Sequence, residues 1–223
     1  MKAAKSLFCA AAVLAGTSTV AGASGHDIGL NVGSLGVGPQ LGYTLSPNQF
    51  HVRLATGFLD YSDSAVAEGI EYDGDLQLRN AALLGDYHPF GGGFRISAGV
   101  VGNDNAFSAT GELEDGTTYT ADGETYTADS GDSANGEITF NSLAPYLGIG
   151  VGHTDTSTGL SLTADVGVMH LGSASASIDI DTQGSTRQAE ADEYAANAES
   201  DLEDELEALE LYPVIQADAV YRF

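Results

Sequence analysis

The chemistry-bearing residues of this chain fall on one parity of its alternating segments. Arg53, Arg79, Arg95 and Arg222 each occupy the non-apolar parity of a strand-like run, and Asp165 and Asp218 do the same. Gln40, Gln216 and Ser97 join them. Guanidinium and carboxylate groups facing one enclosed axis must pair, because an unpaired buried charge is costly. These residues therefore read as a polar network along a lumen. If the network seals that lumen, its role is structural. If a gap remains, arginine would favour small anions or carboxylates.

Three further segments hold candidate groups. The stretch 104–136 carries Asp104, Glu112, Glu114, Asp115, Asp122, Glu124, Asp129 and Asp132, and repeats Thr118–Asp122 as Thr125–Asp129. Clustered oxygens suit divalent cations, but the spacing of an EF-hand loop is missing, so a solvated acidic loop is the plainer expectation. The stretch 188–210 sets Tyr194, Ala198, Leu202, Leu206 and Leu209 at helical spacing among acids, with no lysine to balance them. It reads as a loop helix over a barrel mouth, with docking of a cationic partner as the alternative. Histidines are scattered at 26, 51, 88, 153 and 170, and His170 with Ser173 has no placed carboxylate. No phosphate loop, metal-ligand cluster or catalytic constellation is evident, so neither an enzyme nor a cofactor is expected.

The elements that must position these groups are short alternating strands. Val37, Pro39, Leu41, Tyr43 and Leu45 share one parity, and Gly38, Gln40, Gly42 and Thr44 the other. Phe50, Val52 and Leu54 alternate with His51, Arg53, Ala55 and Gly57 beyond the turn signal 46–49. The same rhythm marks seven segments: 36–45, 50–61, 75–88, 94–106, 138–153, 160–178 and 211–223. Ile28, Leu30 and Val32 in 26–33 supply an eighth. One irregularity stands in 75–88, where Asn80 and Asp86 share parity with Leu76, Leu78 and Leu84. A bulge or the strand's periplasmic end is the expected cause. Connections alternate between short (46–49, 89–93, 155–159) and long (62–73, 104–136, 180–210), the plan of an outer-membrane barrel.

The chain opens with Lys2 and Lys5, an apolar run from Leu7 to Gly16, and Ala21-Gly22-Ala23. That order reads as a signal peptide over 1–23, leaving 24–223 as the barrel domain. Cys9, the only cysteine, would leave with it. So would both lysines, taking the formal net charge from −25 to −27. Nucleic acid is excluded as a partner, since phosphate contacts need Lys and Arg.

The runs Tyr72–Ala81 and Asp86–Arg95, with the ending Leu211–Val214 and Tyr221-Arg222-Phe223, resemble small proteobacterial outer-membrane barrels of the opacity-protein and OmpA transmembrane-domain type. The resemblance implies an eight-stranded antiparallel transmembrane β-barrel in outer-membrane lipid. It also implies that Tyr221 and Phe223 form the signal read by the barrel-assembly machinery. The expectation is thus a non-enzymatic outer-membrane barrel with a largely plugged polar lumen and acidic outer loops. A narrow porin for small solutes and an adhesion or recognition protein are the alternatives. Like charges at i,i+4 oppose the 188–210 helix, and salt screens them. A peptide of 188–210 therefore gains helical circular dichroism as salt or a divalent cation is added, and a flat titration contradicts this.

Overall fold

A computed structural model describes residues 25–67, 70–112, 116, 118–121, 124–127, 132–152, 158–182, 188–206 and 210–223. The expected signal peptide, Arg187, His153 and much of the acidic stretch 113–131 lie outside the described residues. The fold is all-β and antiparallel with a single helix among the described residues.

Eight strands pair in a circuit: β1 (His26–Gly33), β2 (Gly36–Ser46), β3 (Phe50–Ala67), β4 (Ile70–Tyr87), β5 (Arg95–Asn103), β10 (Leu143–Val151), β11 (Gly159–His170) and β13 (Leu211–Arg222). Strand β13 then pairs back onto β1, from Asp27↔Arg222 to Gly33↔Gln216. Every strand in the circuit therefore has a neighbour on both edges, which is how a barrel satisfies its backbone without water.

The strand count differs from eight. Three expected strands are interrupted, so β6 (Ala106–Glu112), β9 (Ser133–Thr139) and β12 (Ser175–Asp181) stand as separate segments and the sheet has eleven. Across the first two breaks the register is continuous, Asn80↔Asn103 leading to Gln77↔Ala106 and Leu143↔Gly102 to Thr139↔Ala106. At the third break the β11–β12 side is one residue short, six residues standing opposite seven. Tyr146 opposes Met169, but Thr139 opposes Ser175, with Gly172 at φ +70° between. The offset flips parity, so odd residues face inward on β11 and even ones on β12.

The expected long loops are mostly structured. Pairing of β3 with β4 runs from Phe50↔Tyr87 to Ala67↔Ile70, so 62–67 and 70–73 continue the hairpin ladder. The 104–136 stretch contains β6, β7 (Thr118–Ala121), β8 (Glu124–Thr127) and the start of β9. The 180–210 stretch holds helix α1 (Gln188–Leu206). Past the barrel rim, β3, β4, β6, β9 and β12 form a projecting wall.

Helix α1 lies along β12, the outermost strand of that wall. The backbone N–H of Ala176 donates to Glu203 Oε1 at 3.0 Å and that of Ile178 to Glu199 Oε1 at 2.6 Å. Gln188 closes the row, donating from Nε2 to the Ile180 carbonyl at 2.7 Å and accepting from Thr182 N at 3.1 Å. Four helical residues rise about 6 Å and two strand residues about 6.6 Å. An i,i+4 glutamate pair therefore matches the free N–H groups of an edge strand and caps an edge that would otherwise recruit another chain.

Outward positions are apolar and exposed: Leu41, Leu54, Phe58, Leu147, Leu162 and Ile215 lie between 47% and 72% exposed. Aromatic rings gather at the short-turn end, with Phe50 on Tyr87 at 5.1 Å and Tyr221 against Phe223 at 5.2 Å between centroids. An apolar band with aromatic edges is what lipid contact selects. Replacing both Glu199 and Glu203 with Ala should speed hydrogen exchange at the Ala176 and Ile178 amides by about tenfold. Unchanged protection there would show that the carboxylates do not cap the edge.

Candidate functional site

The interior is built on two levels. Nearest the short turns lies a layer of charges. Strand β3 turns His51 and Arg53 inward, β5 turns in Arg95 and Ser97, and β11 turns in Thr163 and Asp165. Strand β13 contributes Asp218 and Arg222, β1 Asp27, and β4 Asp86. All ten are buried.

Asp165 is the hub. Its carboxylate accepts from Arg53 Nη1 and Nη2 at 2.9 and 3.0 Å, and from Arg95 Nε and Nη2 at 3.1 and 2.6 Å. Two guanidinium forks thus share one carboxylate, the strongest geometry for such a pair. Arg95 also donates to Thr163 Oγ1 at 3.2 Å, which donates to Asp218 Oδ2 at 2.7 Å. On the other side Arg53 Nε stands 3.0 Å from Asp86 Oδ2, and Ser97 donates to Asp86 Oδ1 at 2.5 Å.

His51 connects the remainder. Its Nε2 is 2.8 Å from Asp27 Oδ2 and its Nδ1 is 3.4 Å from Asp86 Oδ2. Arg222 donates to Asp27 Oδ2 at 3.2 Å. An imidazolium satisfies both carboxylates, whereas neutral imidazole satisfies one. With that charge, four aspartates meet three arginines and one histidine, and the layer is neutral. Glycine makes room for it. A Cβ on Gly42 would collide with Asp27 and His51, and one on Gly150 with Asp165 and Arg95.

The second level is apolar and lies toward the projecting wall. Leu35, Leu84, Val101, Met169, Leu171 and Val214 cluster inside the ring, with Val101 and Met169 at 0% exposure. Leu35 belongs to the β1–β2 turn, which leans over the interior and offers its carbonyl to Asn80 Nδ2 at 3.0 Å. Asn80 also donates to Asn105 Oδ1 at 2.9 Å, and Tyr212 donates to the Ser34 carbonyl at 2.8 Å.

Of the sequence-expected network, Arg53, Arg95, Arg222, Asp165, Asp218 and Ser97 come together. Gln40 and Gln216 line the same interior and are buried, but Gln40 Oε1 has no hydrogen-bond partner. Arg79 is a correction, because it is exposed on the outer face. Strand β4 has no bulge against β3, and its inward set is Leu78, Asn80, Ala82, Leu84 and Asp86. Assigning apolar residues outward fails there, since the upper interior is itself apolar. Asp27, His51, Asp86 and Thr163 were missing from the expected network. The shared parity of His51 with Arg53 and the irregular parity of Asp86 were their signals. Tyr221 and Phe223 stand exposed at the short-turn rim. His170 and Ser173 are exposed, and His88 Nδ1 contacts the Gly92 carbonyl at 2.9 Å in a short turn.

A closed antiparallel circuit, oily outside and charged within, is the architecture of a membrane-spanning β-barrel. Two solved structures share it. CarO2 of Acinetobacter baumannii matches with a TM-score of 0.60 at 21% identity, over 89% of this chain and 98% of that one. CarO of the same organism matches with a TM-score of 0.58 at 20% identity, over 88% and 97%. Both are outer-membrane β-barrel proteins. No family model and no curated protein matches this chain.

Replacing Asp165 with Ala would leave two buried guanidiniums without their shared acceptor, and should cost about 3–5 kcal/mol. Urea unfolding of the refolded barrel measures this, and a loss under about 1 kcal/mol would deny Asp165 its central place.

Proposed function

We propose that the chain is a non-enzymatic, integral outer-membrane barrel, closed along its axis, that holds an acidic platform outside the cell. The reading rests on one observation above all. The apolar cluster of Val101, Met169, Leu171 and Val214 stacks across the same interior as the ion layer. A conducting path needs continuous water, and neither a layer of paired charges nor an apolar core offers it.

The outward leucines and the rim aromatics support lipid as the surrounding phase. Tyr221 and Phe223 would serve as the recognition element for the assembly machinery. With the short-turn rim in the periplasm, β6, β9, β12 and the acidic α1 stand outside, where divalent cations would lower the repulsion among carboxylates. No solute, cofactor or catalytic group is needed for this role.

Planar-bilayer recording of refolded protein tests it. The expected result is no steady conductance. Replacing both Met169 and Val101 with Gly should thin the apolar level and raise the frequency of brief openings. Steady conductance of the unaltered protein would overturn the reading in favour of a narrow solute channel.

A further inference from the structure

Beyond the barrel, the inner face of the wall carries a trough. The registers set Asp63, Gly74, Ala109, Gly136 and Ile178 in one row across β3, β4, β6, β9 and β12. The row beside it is bulky from Tyr61 through Leu76 and Phe107 to Ile138, and ends at Ala176. Three neighbouring positions with no more than a methyl group therefore form a floor below the level of Phe107 and Ile138. At about 4.8 Å per strand, that floor crosses three strands. Leu202 of α1 and Ile178 close one end, and the lining there is almost wholly apolar. The floor is open at Gly136, where an added Cβ would meet nothing nearer than the Ala109 carbonyl at 4.0 Å, while at Gly74 the edge of the Phe107 ring borders it at 3.9 Å. Phe107 remains 43% exposed over it.

The charge around the trough has one sign. Asp63 stands at the open end of the row, exposed, its Oδ2 accepting from the Tyr61 hydroxyl at 3.2 Å. At the closed end Glu199 and Glu203 face the edge of β12. Among the described residues, β6, β9, β12 and α1 contain no lysine or arginine. An apolar bed with a carboxylate at its mouth favours an oily ligand with positive charge and repels an anionic one.

We propose that this trough binds an amphiphilic organic cation, its apolar body on Gly74, Ala109 and Gly136 and its positive head at Asp63. The site does not depend on whether the barrel conducts. The probe is decyltrimethylammonium, titrated calorimetrically below its micelle concentration into the full chain in lipid nanodiscs, with empty nanodiscs subtracted. Decyl sulfate is the comparator. The cation should bind saturably, roughly tenfold more tightly than the sulfate. Gly136→Leu fills the trough and should weaken the cation about tenfold. Asp63→Asn, a surface change that leaves the fold intact, should weaken it about threefold and shrink the preference over sulfate. Equal binding of cation and anion would overturn the proposal. So would a folded Gly136→Leu protein that binds as before, or an Asp63→Asn protein with undiminished preference for the cation.

Discussion

Arg53 and Arg95 lie inside a ring whose outer faces are leucine, valine and phenylalanine, and the charge of both is met there by Asp165. Removing two guanidiniums from water costs several kcal/mol each, and only complete pairing repays it. The sharing of one carboxylate by two forks fixes three strands, β3, β5 and β11, relative to one another across the barrel. Asp86, His51, Asp27 and Arg222 extend the constraint to β4, β1 and β13. A register slip of one residue would turn these groups toward lipid, so the ion layer and the strand register stabilise each other.

The apolar level plays a different part. It has no directional bonds, and it tolerates the change of parity that β4 displays between its sequence pattern and its setting. Leu78, Ala82 and Leu84 face inward because a second core exists above the charges, not because the strand is irregular. The same level ends at the asparagines that hold the β1–β2 turn, where the wall departs from the ring. Past that point the strands lack a closing neighbour, and helix α1 supplies carboxylates where a strand would supply carbonyls. The acidity of α1 thus has a local use beyond solubility, because its glutamates find partners in the backbone rather than in lysine.

Much of this was legible in the chain itself. The two-residue alternation of β2, β3, β5, β11 and β13 specifies which residues share a face, and it placed Arg53, Arg95, Asp165, Asp218 and Arg222 together. The helical spacing of Tyr194, Ala198, Leu202 and Leu206 marked α1. Less legible were Arg79 and Asp86. Their strand carries apolar residues on both parities, and alternation then has no sign. The long connections also misled, because Ser62, Asp63, Ser64 and Asp73 look like loop residues while pairing as an exposed ladder.

Alternation is a property of consecutive residues, so the amino-acid order alone determined that there are two faces, which residues occupy each, and that the chain is strongly acidic. Which face encloses a charged axis, and which parity of β4 is inner, depended on closure. Closure brings together groups as far apart as Asp27 and Arg222, and no local pattern encodes a distance across a ring. The division of the interior into a charged and an apolar level, the register offset before β12 and the trough beyond the rim arise from the same cause. Each depends on the stagger between strands, which only the assembled sheet defines.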